Sequence, residues 1–205
     1  MKKLLIATHN PGKFREYKLI FKNFLKNLNF KLVSLNNLKI KDKLKENGKS
    51  YKENAILKAK FYCKLSNFLT LADDAGLEIE VLGGWPGIKS RRAKGRECSH
   101  KELIKIVMEK LKNVPFEKRK AKYKVAIAIA IPNKNRVYVF EGERKGFIAE
   151  RASRKIWKGF PYDSIYYLPE KKRVFVELTP KLKAKFSHRR VALEKVLPIL
   201  KRLKL

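Results

Sequence analysis

Two adjacent aspartates, Asp73 and Asp74, are the residues of this chain whose type and spacing most directly suggest chemistry. There are 51 Lys+Arg against 19 Asp+Glu, and only four aspartates: Asp42, Asp73, Asp74 and Asp163. An apolar run (Phe68, Leu69, Leu71, Ala72) precedes the pair, and Gly76 with a second strand-like run, Leu77–Leu82, follows it. That pattern puts the carboxylates at a strand end. Neighbouring carboxylates repel, so a cation belongs beside them. It is either a lysine ammonium or Mg²⁺, which favours one or two carboxylates plus a phosphate-bearing substrate.

Four further groups carry chemical potential. Thr8-His9-Asn10-Pro11-Gly12-Lys13 combines a strand, a tight turn and a helix start, which together offer backbone N–H groups and a positive dipole end to an anion. It also reads as an ordinary strand–turn–helix. Glu46, Glu53 and Lys58 form a second group, in which capping accounts for Glu53 and nothing local demands Glu46. Gly159-Phe160-Pro161-Tyr162-Asp163 sets the last aspartate beside two aromatics, enough to stack on and hydrogen-bond a purine, or simply to pack a loop on the core. In the last group, Lys183 precedes Ser187-His188-Arg189, where Ser187 is an N-cap. His188 and Arg189 then oppose the dipole of the helix they begin, and an anionic or carbonyl-bearing ligand would compensate. Beyond the aspartates, Gly83-Gly84-Trp85-Pro86-Gly87 reads as a loop.

The elements that must hold these groups alternate in type. Leu4–Thr8 is expected as a buried strand, followed by a helix with Phe14, Tyr17, Phe21, Phe24, Leu25 and Leu28 on one face. Phe30–Leu35 reads as a strand, Asn36–Lys49 as a loop, and Ser50–Glu53 as a capping box opening a helix through Cys63. Ser99–Asn113 is a second capped helix. Lys122–Ile131 and Arg136–Glu141 read as a hairpin, with Lys145–Arg151, Ser164–Leu168 and Arg173–Glu177 as further strands. A helix from Ser187 to Leu203, kinked or shortened near Pro198, ends the chain. The sum is an α/β chain with a mixed sheet flanked by helices. At 205 residues it is expected to be one domain, 1–205, with two lobes sharing one sheet.

Composition bounds the function classes. With 44% apolar residues the chain can bury a core. The longest apolar run, Val125–Ile131, is far short of the ~20 residues that span a bilayer, so no membrane role is expected. Met1–Thr8 starts like a signal peptide, but His9-Asn10-Pro11 interrupts it too early. Cys63 and Cys98 have neither metal-ligand nor disulfide-scaffold spacing, and a cytoplasmic protein with free thiols is expected. The net charge of +32 suits nucleic acid, an anionic surface or phosphorylated small molecules, though the lysines are spread along the whole chain.

Taken together, the motifs resemble those of the inosine/xanthosine triphosphate pyrophosphatase family. T-x-N-x-x-K is matched by Thr8, Asn10 and Lys13, E-x-G by Glu46 and Gly48, and E-N-A-x-x-K-A by Glu53 through Ala59. A-D-D-S-G-L corresponds to Ala72 through Leu77, and L-G-G-x-P-G-x-x-S to Leu82 through Ser90. G-F-G-Y-D-x-I corresponds to Gly159 through Ile165, and K-x-x-x-S-H-R to Lys183 through Arg189. The matches run in order over nearly the whole chain.

The resemblance implies an elongated two-lobed α/β protein with the active cleft between the lobes, acting as a homodimer. It implies Mg²⁺-dependent hydrolysis of ITP, dITP and XTP to the monophosphate and pyrophosphate. Asp74 would be the catalytic base or metal-bound carboxylate, and Glu46 would help hold the metal. Thr8, His9, Asn10, Pro11, Gly12, Lys13, Lys58 and Ala75 would surround the phosphates. Phe160 would stack on the base, with Pro161, Tyr162 and Asp163 closing that pocket, and Lys183, His188 and Arg189 would meet the base and the sugar-phosphate edge. The chain departs from the pattern at Ala75 (usually Ser), Pro161 (usually Gly) and Ala93 (commonly aromatic), with Arg91 and Arg190 as added charge. A basic nucleic-acid-binding protein on the same scaffold with weakened catalysis is the rival reading. A pyrophosphatase for a different damaged or pyrimidine nucleotide is the third.

Overall fold

Strand-forming runs and amphipathic helices alternate through the first third of the chain and then give way to hairpins. The computed structural model describes residues 2–24, 30–93 and 95–202. It contains β1 (Lys2–Ile6), α1 (Pro11–Phe24), β2 (Phe30–Ser34), α2 (Tyr51–Ser66), β3 (Leu69–Ile79) and α3 (His100–Lys110). There follow β4 (Lys120–Ala130), β5 (Val137–Ile148), β6 (Tyr166–Leu168), β7 (Arg173–Val174), α4 (Pro180–Phe186) and α5 (His188–Arg202). The strands form one open mixed sheet in the order β2-β1-β3-β4-β5-β6-β7. β1 runs parallel to β2 and β3, and the remaining pairs are antiparallel.

The topology creates a crevice. From β1 the chain crosses to β2 through α1, then returns through α2 to β3 on the other side of β1. Tyr17, Ile20 and Phe21 of α1 pack with Leu4, Ile6 and Leu71 on one sheet face, joined by α5. Ala55, Ala59 and Tyr62 of α2 pack with Leu5, Val33 and Ala72 on the other. The connections therefore diverge at the carboxyl end of β1, the place where open α/β sheets leave room for a ligand. β1 stops pairing with β3 at Ile6↔Leu71, so β3 continues beyond it with that edge open. A third cluster, with α3, Tyr166 and Phe175 around Leu77 and Ile79, builds a second lobe on the far halves of β3 and β4.

β4 sets the spacing of the layers. Its alternation turns Ile127 and Ile129 toward α1 and α5, and Ala126, Ala128 and Ala130 toward α2. The alanine stripe lets α2, itself presenting Ala55 and Ala59, lie close to the sheet.

Several expected boundaries move. The aspartate pair lies inside β3, not at a strand end, and the run expected to continue to Leu82 leaves the strand at Ile79 for a 3-10 turn, Glu80–Leu82. Arg136–Glu141 and Lys145–Arg151 belong to the single strand β5. Only Arg173 and Val174 of the last expected strand are extended. α4, not expected from the sequence, is capped by the Thr179 hydroxyl and starts with Pro180. α5 continues through Pro198 to Arg202. Ser99 and Glu102 complete a capping box, whereas Glu53 takes the Lys49 N–H in place of that of Ser50. Leu25, Leu28 and Leu203 lie outside the described residues. Cys63 and Cys98 are free and buried. Among the described residues no helix is long and apolar enough to cross a membrane.

Candidate active site

A cavity of about 750 Å³ opens at the carboxyl end of β1 and extends between the two lobes. Its lining includes every site residue expected from the sequence except Gly12. Gly12 is buried behind the lining, with its Cα turned toward the Phe160 ring, and so does not face a ligand.

The phosphate-type turn is built by its own side chains. Thr8 Oγ1 accepts the Asn10 N–H at 3.1 Å. Asn10 Oδ1 caps α1 by accepting from the N–H groups of Gly12 (2.9 Å) and Lys13 (3.2 Å), while Nδ2 donates to the Gly159 carbonyl at 2.9 Å. The Asn10 carboxamide is thus committed within the protein. His9 Nε2 lies 2.9 Å from the Asp42 carbonyl oxygen and 3.2 Å from the Tyr62 hydroxyl. Pro11, the first residue of α1, is exposed on the cavity rim.

The two aspartates do different work because β3 alternates. Asp73 faces α1 and α5, where Lys13 Nζ (2.9 Å) and Arg189 Nε (3.1 Å) both reach its Oδ2. Burial alone would raise its pKa, but Lys13, Arg189 and Lys58 outweigh that and hold it well below the usual carboxylate range. Asp74 faces α2. Its Oδ2 accepts from Asn54 Nδ2 at 2.9 Å, its Oδ1 accepts the Ala75 N–H at 3.0 Å, and Lys58 Nζ lies 3.7 Å away. Glu46, from the loop expected there, approaches the same ammonium at 3.3 Å. Burial opposes the charge on Lys58, yet Asp74 and Glu46 prevail and raise its pKa. Burial lowers that of Lys13, reinforced by Arg189 and Lys58 against Asp73. The cation expected beside the pair is thus a different lysine for each carboxylate: Asp73 is neutralised within the protein by Lys13 and Arg189, and Asp74 with Glu46 forms the cavity's own acidic pair beside Lys58.

The aromatic loop lies opposite. Lys183 Nζ is 3.2 Å from the centroid of the Phe160 ring, and Arg189 Cζ is 5.9 Å away. Asp163 is buried between Lys183 and the Tyr123 hydroxyl, which donates to it at 3.1 Å. Burial raises its pKa against the pull of Lys183. The Tyr162 hydroxyl donates to the Ser90 carbonyl at 2.7 Å, tying the loop to the second lobe. Pro161 opens a 3-10 turn, Pro161–Ser164, where its fixed φ fits. The left-handed residue of this loop is Gly159, at φ +92°, so the Pro161 departure costs no backbone freedom. Of the other departures, Arg91 pairs with Glu97 and Arg190 with Glu194, while Ala93 packs against the second lobe's core.

His188 and Arg189 do begin a helix, but the compensation is internal. Arg189 binds Glu16 as well as Asp73, and Glu16 also accepts from the Ser187 hydroxyl and lies 3.9 Å from Lys183. His188 stacks on Tyr123 at 4.9 Å, and neither of its ring nitrogens has a hydrogen-bond partner among the described residues. Burial, Arg189 and Lys183 push its pKa well down, so the imidazole is neutral.

Sequence reasoning missed Glu16 and Tyr123, and it carried Asn54 inside a motif without giving it a role. Glu16 follows Lys13 by three residues beside Tyr17 and Ile20, on the buried side of an amphipathic helix. In a chain so poor in acid, that placement was the available signal. Among the described residues no three His, Cys, Asp or Glu side chains converge as a self-sufficient metal site. The donor set is two carboxylates, Glu46 and Asp74, against one ammonium. That set fits Mg²⁺ when a substrate's phosphates supply further oxygens.

A parallel-strand crevice with a capped turn, an acidic pair, four buried or half-buried cations and an aromatic ring defines an α/β protein whose cleft is lined by charge of both signs. The chain belongs to the Ham1 family, whose model matches residues 4–199. It is 38% identical over 200 residues to the dITP/XTP pyrophosphatase of Bacillus subtilis (strain 168), covering 98% of both chains. Among solved structures it resembles a HAM1 protein from Coxiella burnetii (TM-score 0.82, 31% identity, 98% of this chain and 100% of that one). It likewise resembles the Staphylococcus aureus Ham1 protein (TM-score 0.80, 32% identity, 99% and 100%).

Proposed function

We propose that the chain hydrolyses ITP, dITP and XTP to the monophosphate and pyrophosphate with Mg²⁺, removing aberrant purine nucleotides from the pool. In enzyme class it is a nucleoside-triphosphate pyrophosphatase, a hydrolase acting on phosphoric anhydrides, as the names of its relatives support. The observation that carries the reading is the split of the aspartate pair, which leaves Asp74 fixed by Asn54 at the cavity wall with Lys58 beside it.

Asp74 takes a proton from the water that attacks the α-phosphorus, and the Asn54 amide holds its carboxylate in one orientation. Lys13 and Lys58 bind the phosphates and the pyrophosphate that leaves, aided by Lys43, Arg91 and Arg92 on the cavity wall. Glu46 and Asp74 would hold Mg²⁺, which neutralises phosphate charge and polarises the P–O bonds when bound. At the other end Phe160 stacks on the base. Lys183 and Arg189, which carry donors and no acceptor, line that end of the cavity and favour a 6-oxo group, the Lys183 ammonium swinging off the ring face as the base stacks there. Adenine's amino group meets donor against donor, a mismatch that supports discrimination of ~10⁴-fold.

Pyrophosphate release from dITP, dATP and dGTP with Mg²⁺ tests the reading. Strong preference for dITP is expected, and equal turnover of dATP refutes the base assignment. The resemblance extends the reading to a cytoplasmic homodimer, and sedimentation of the purified chain checks the dimer.

A further inference from the structure

The turn that opens α1 and the loop that carries Phe160 are 149 residues apart at their point of contact, and they meet at a seam with a glycine on each side. Asn10 crosses it. One end of its carboxamide caps the Gly12 and Lys13 N–H groups, and the other donates to the Gly159 carbonyl. Glycines flank it on both sides. A Cβ on Gly12 would stand 2.7 Å from Phe160 Cε2 and 2.8 Å from the Lys158 carbonyl oxygen. A Cβ on Gly159 would overlap Asn10 Oδ1. Such approaches are closer than side chains accept, so glycine at both positions is what lets the two segments touch.

We infer that Asn10 is a positioning residue that locks the base loop to the phosphate turn. A base seated on Phe160 thereby fixes where the α-phosphorus stands relative to Asp74. The inference rests on the pyrophosphatase reading above. Its physical basis is that the two ends of the substrate are gripped by segments with no covalent proximity. Relative drift of those segments displaces the reacting atoms, and a displacement of about 1 Å costs on the order of 100-fold in rate. Base recognition is then expressed in kcat, because a poorly seated base mislocates the phosphorus even when the phosphates are bound.

Two variants cut the seam from different sides. Asn10→Ser keeps a neutral N-cap but is too short to reach the Gly159 carbonyl. Gly12→Ala pries the segments apart with a residue that favours the helix it enters. The measurements are kcat and KM for dITP and dATP, together with inhibition by two fragments that each engage one side of the seam, the phosphate-free nucleoside deoxyinosine and inorganic tripolyphosphate. Both variants are expected to lower kcat for dITP by about 100-fold, to narrow the dITP/dATP ratio, and to leave both fragment inhibition constants at their wild-type values. Loss of fragment affinity in step with dITP turnover would overturn the inference, because Asn10 would then be a direct ligand or a general structural support. An active wild type with kinetically identical variants would overturn the seam alone. A wild type inert toward dITP would overturn the pyrophosphatase reading and this inference with it.

Discussion

Asp73 and Asp74 are chemically identical neighbours with opposite roles, and their consequences separate on substitution. Asp73 is 2% exposed and answers two cations, so Asp73→Asn strips Lys13 of its ion-pair partner and leaves Arg189 with Glu16 alone. A loss of about 3–5 kcal/mol in urea unfolding is expected. Its pH dependence has a definite sign. The folded chain holds the Asp73 pKa below its unfolded value of about 3.9, so its contribution is complete above that pH. The contribution shrinks as the pH falls, and is gone once Asp73 protonates in the folded chain. The stability gap between wild type and Asp73→Asn should therefore be constant near neutrality and close in acid. The motifs made both aspartates visible, but their division was hidden by reading the pair as a strand end. Had β3 been read straight through, its two-residue period would have placed them on opposite faces. Glu16 left a signal in its placement on the buried side of α1, but its role was not legible, because its partners Lys183, Ser187 and Arg189 come from the far end of the chain.

At the scale of elements, catalytic geometry depends on how closely α2 approaches the sheet. Ala126, directly opposite Asp74 in the β3–β4 register, belongs to the alanine stripe under α2. Ala126→Leu should destabilise by about 1–3 kcal/mol through overpacking and lower dITP turnover as Lys58 and Asn54 move from Asp74. Unfolding and steady-state assays on the same variant check both effects. The cap of α3 is tested by stability alone: Ser99→Ala, which breaks the capping box, should cost about 1 kcal/mol in unfolding. Most elements were legible because their apolar periods are clean. The continuity of β5 was not, because two of its three buried positions are Gly142 and Gly146, which give no hydrophobic signal before Ile148. α4 was missed although Thr179-Pro180 is a helix-start pair, since the lysine-rich segment after it masks the pattern.

Over the whole molecule, the charge divides into two populations. Around the floor of the cavity Lys13, Lys183 and Arg189 are matched by Glu16, Asp73 and Asp163, so this cluster is balanced. The surplus of +32 therefore belongs largely to the surface, where it repels itself and attracts anions. Raising salt from low ionic strength should raise the unfolding temperature while lowering kcat/KM for dITP, since both interactions are screened over about 10 Å at 0.1 M. The nucleic-acid rival makes a different demand. Under it, the purified chain should carry strong 260 nm absorbance that high salt removes, with no preference among purine triphosphates. Composition alone could not decide between the two. The matched cluster around the cavity, which depends on folding, favours the enzyme.

The claim on which all of this depends is that Asp74, and not its neighbour, serves the attacking water. It is tested most directly by pyrophosphate release from dITP in Asp74→Asn, with folding verified by urea unfolding. The account predicts a fall of about 10²–10⁴-fold in kcat with stability near that of wild type. Turnover by Asp74→Asn at the wild-type rate would contradict it.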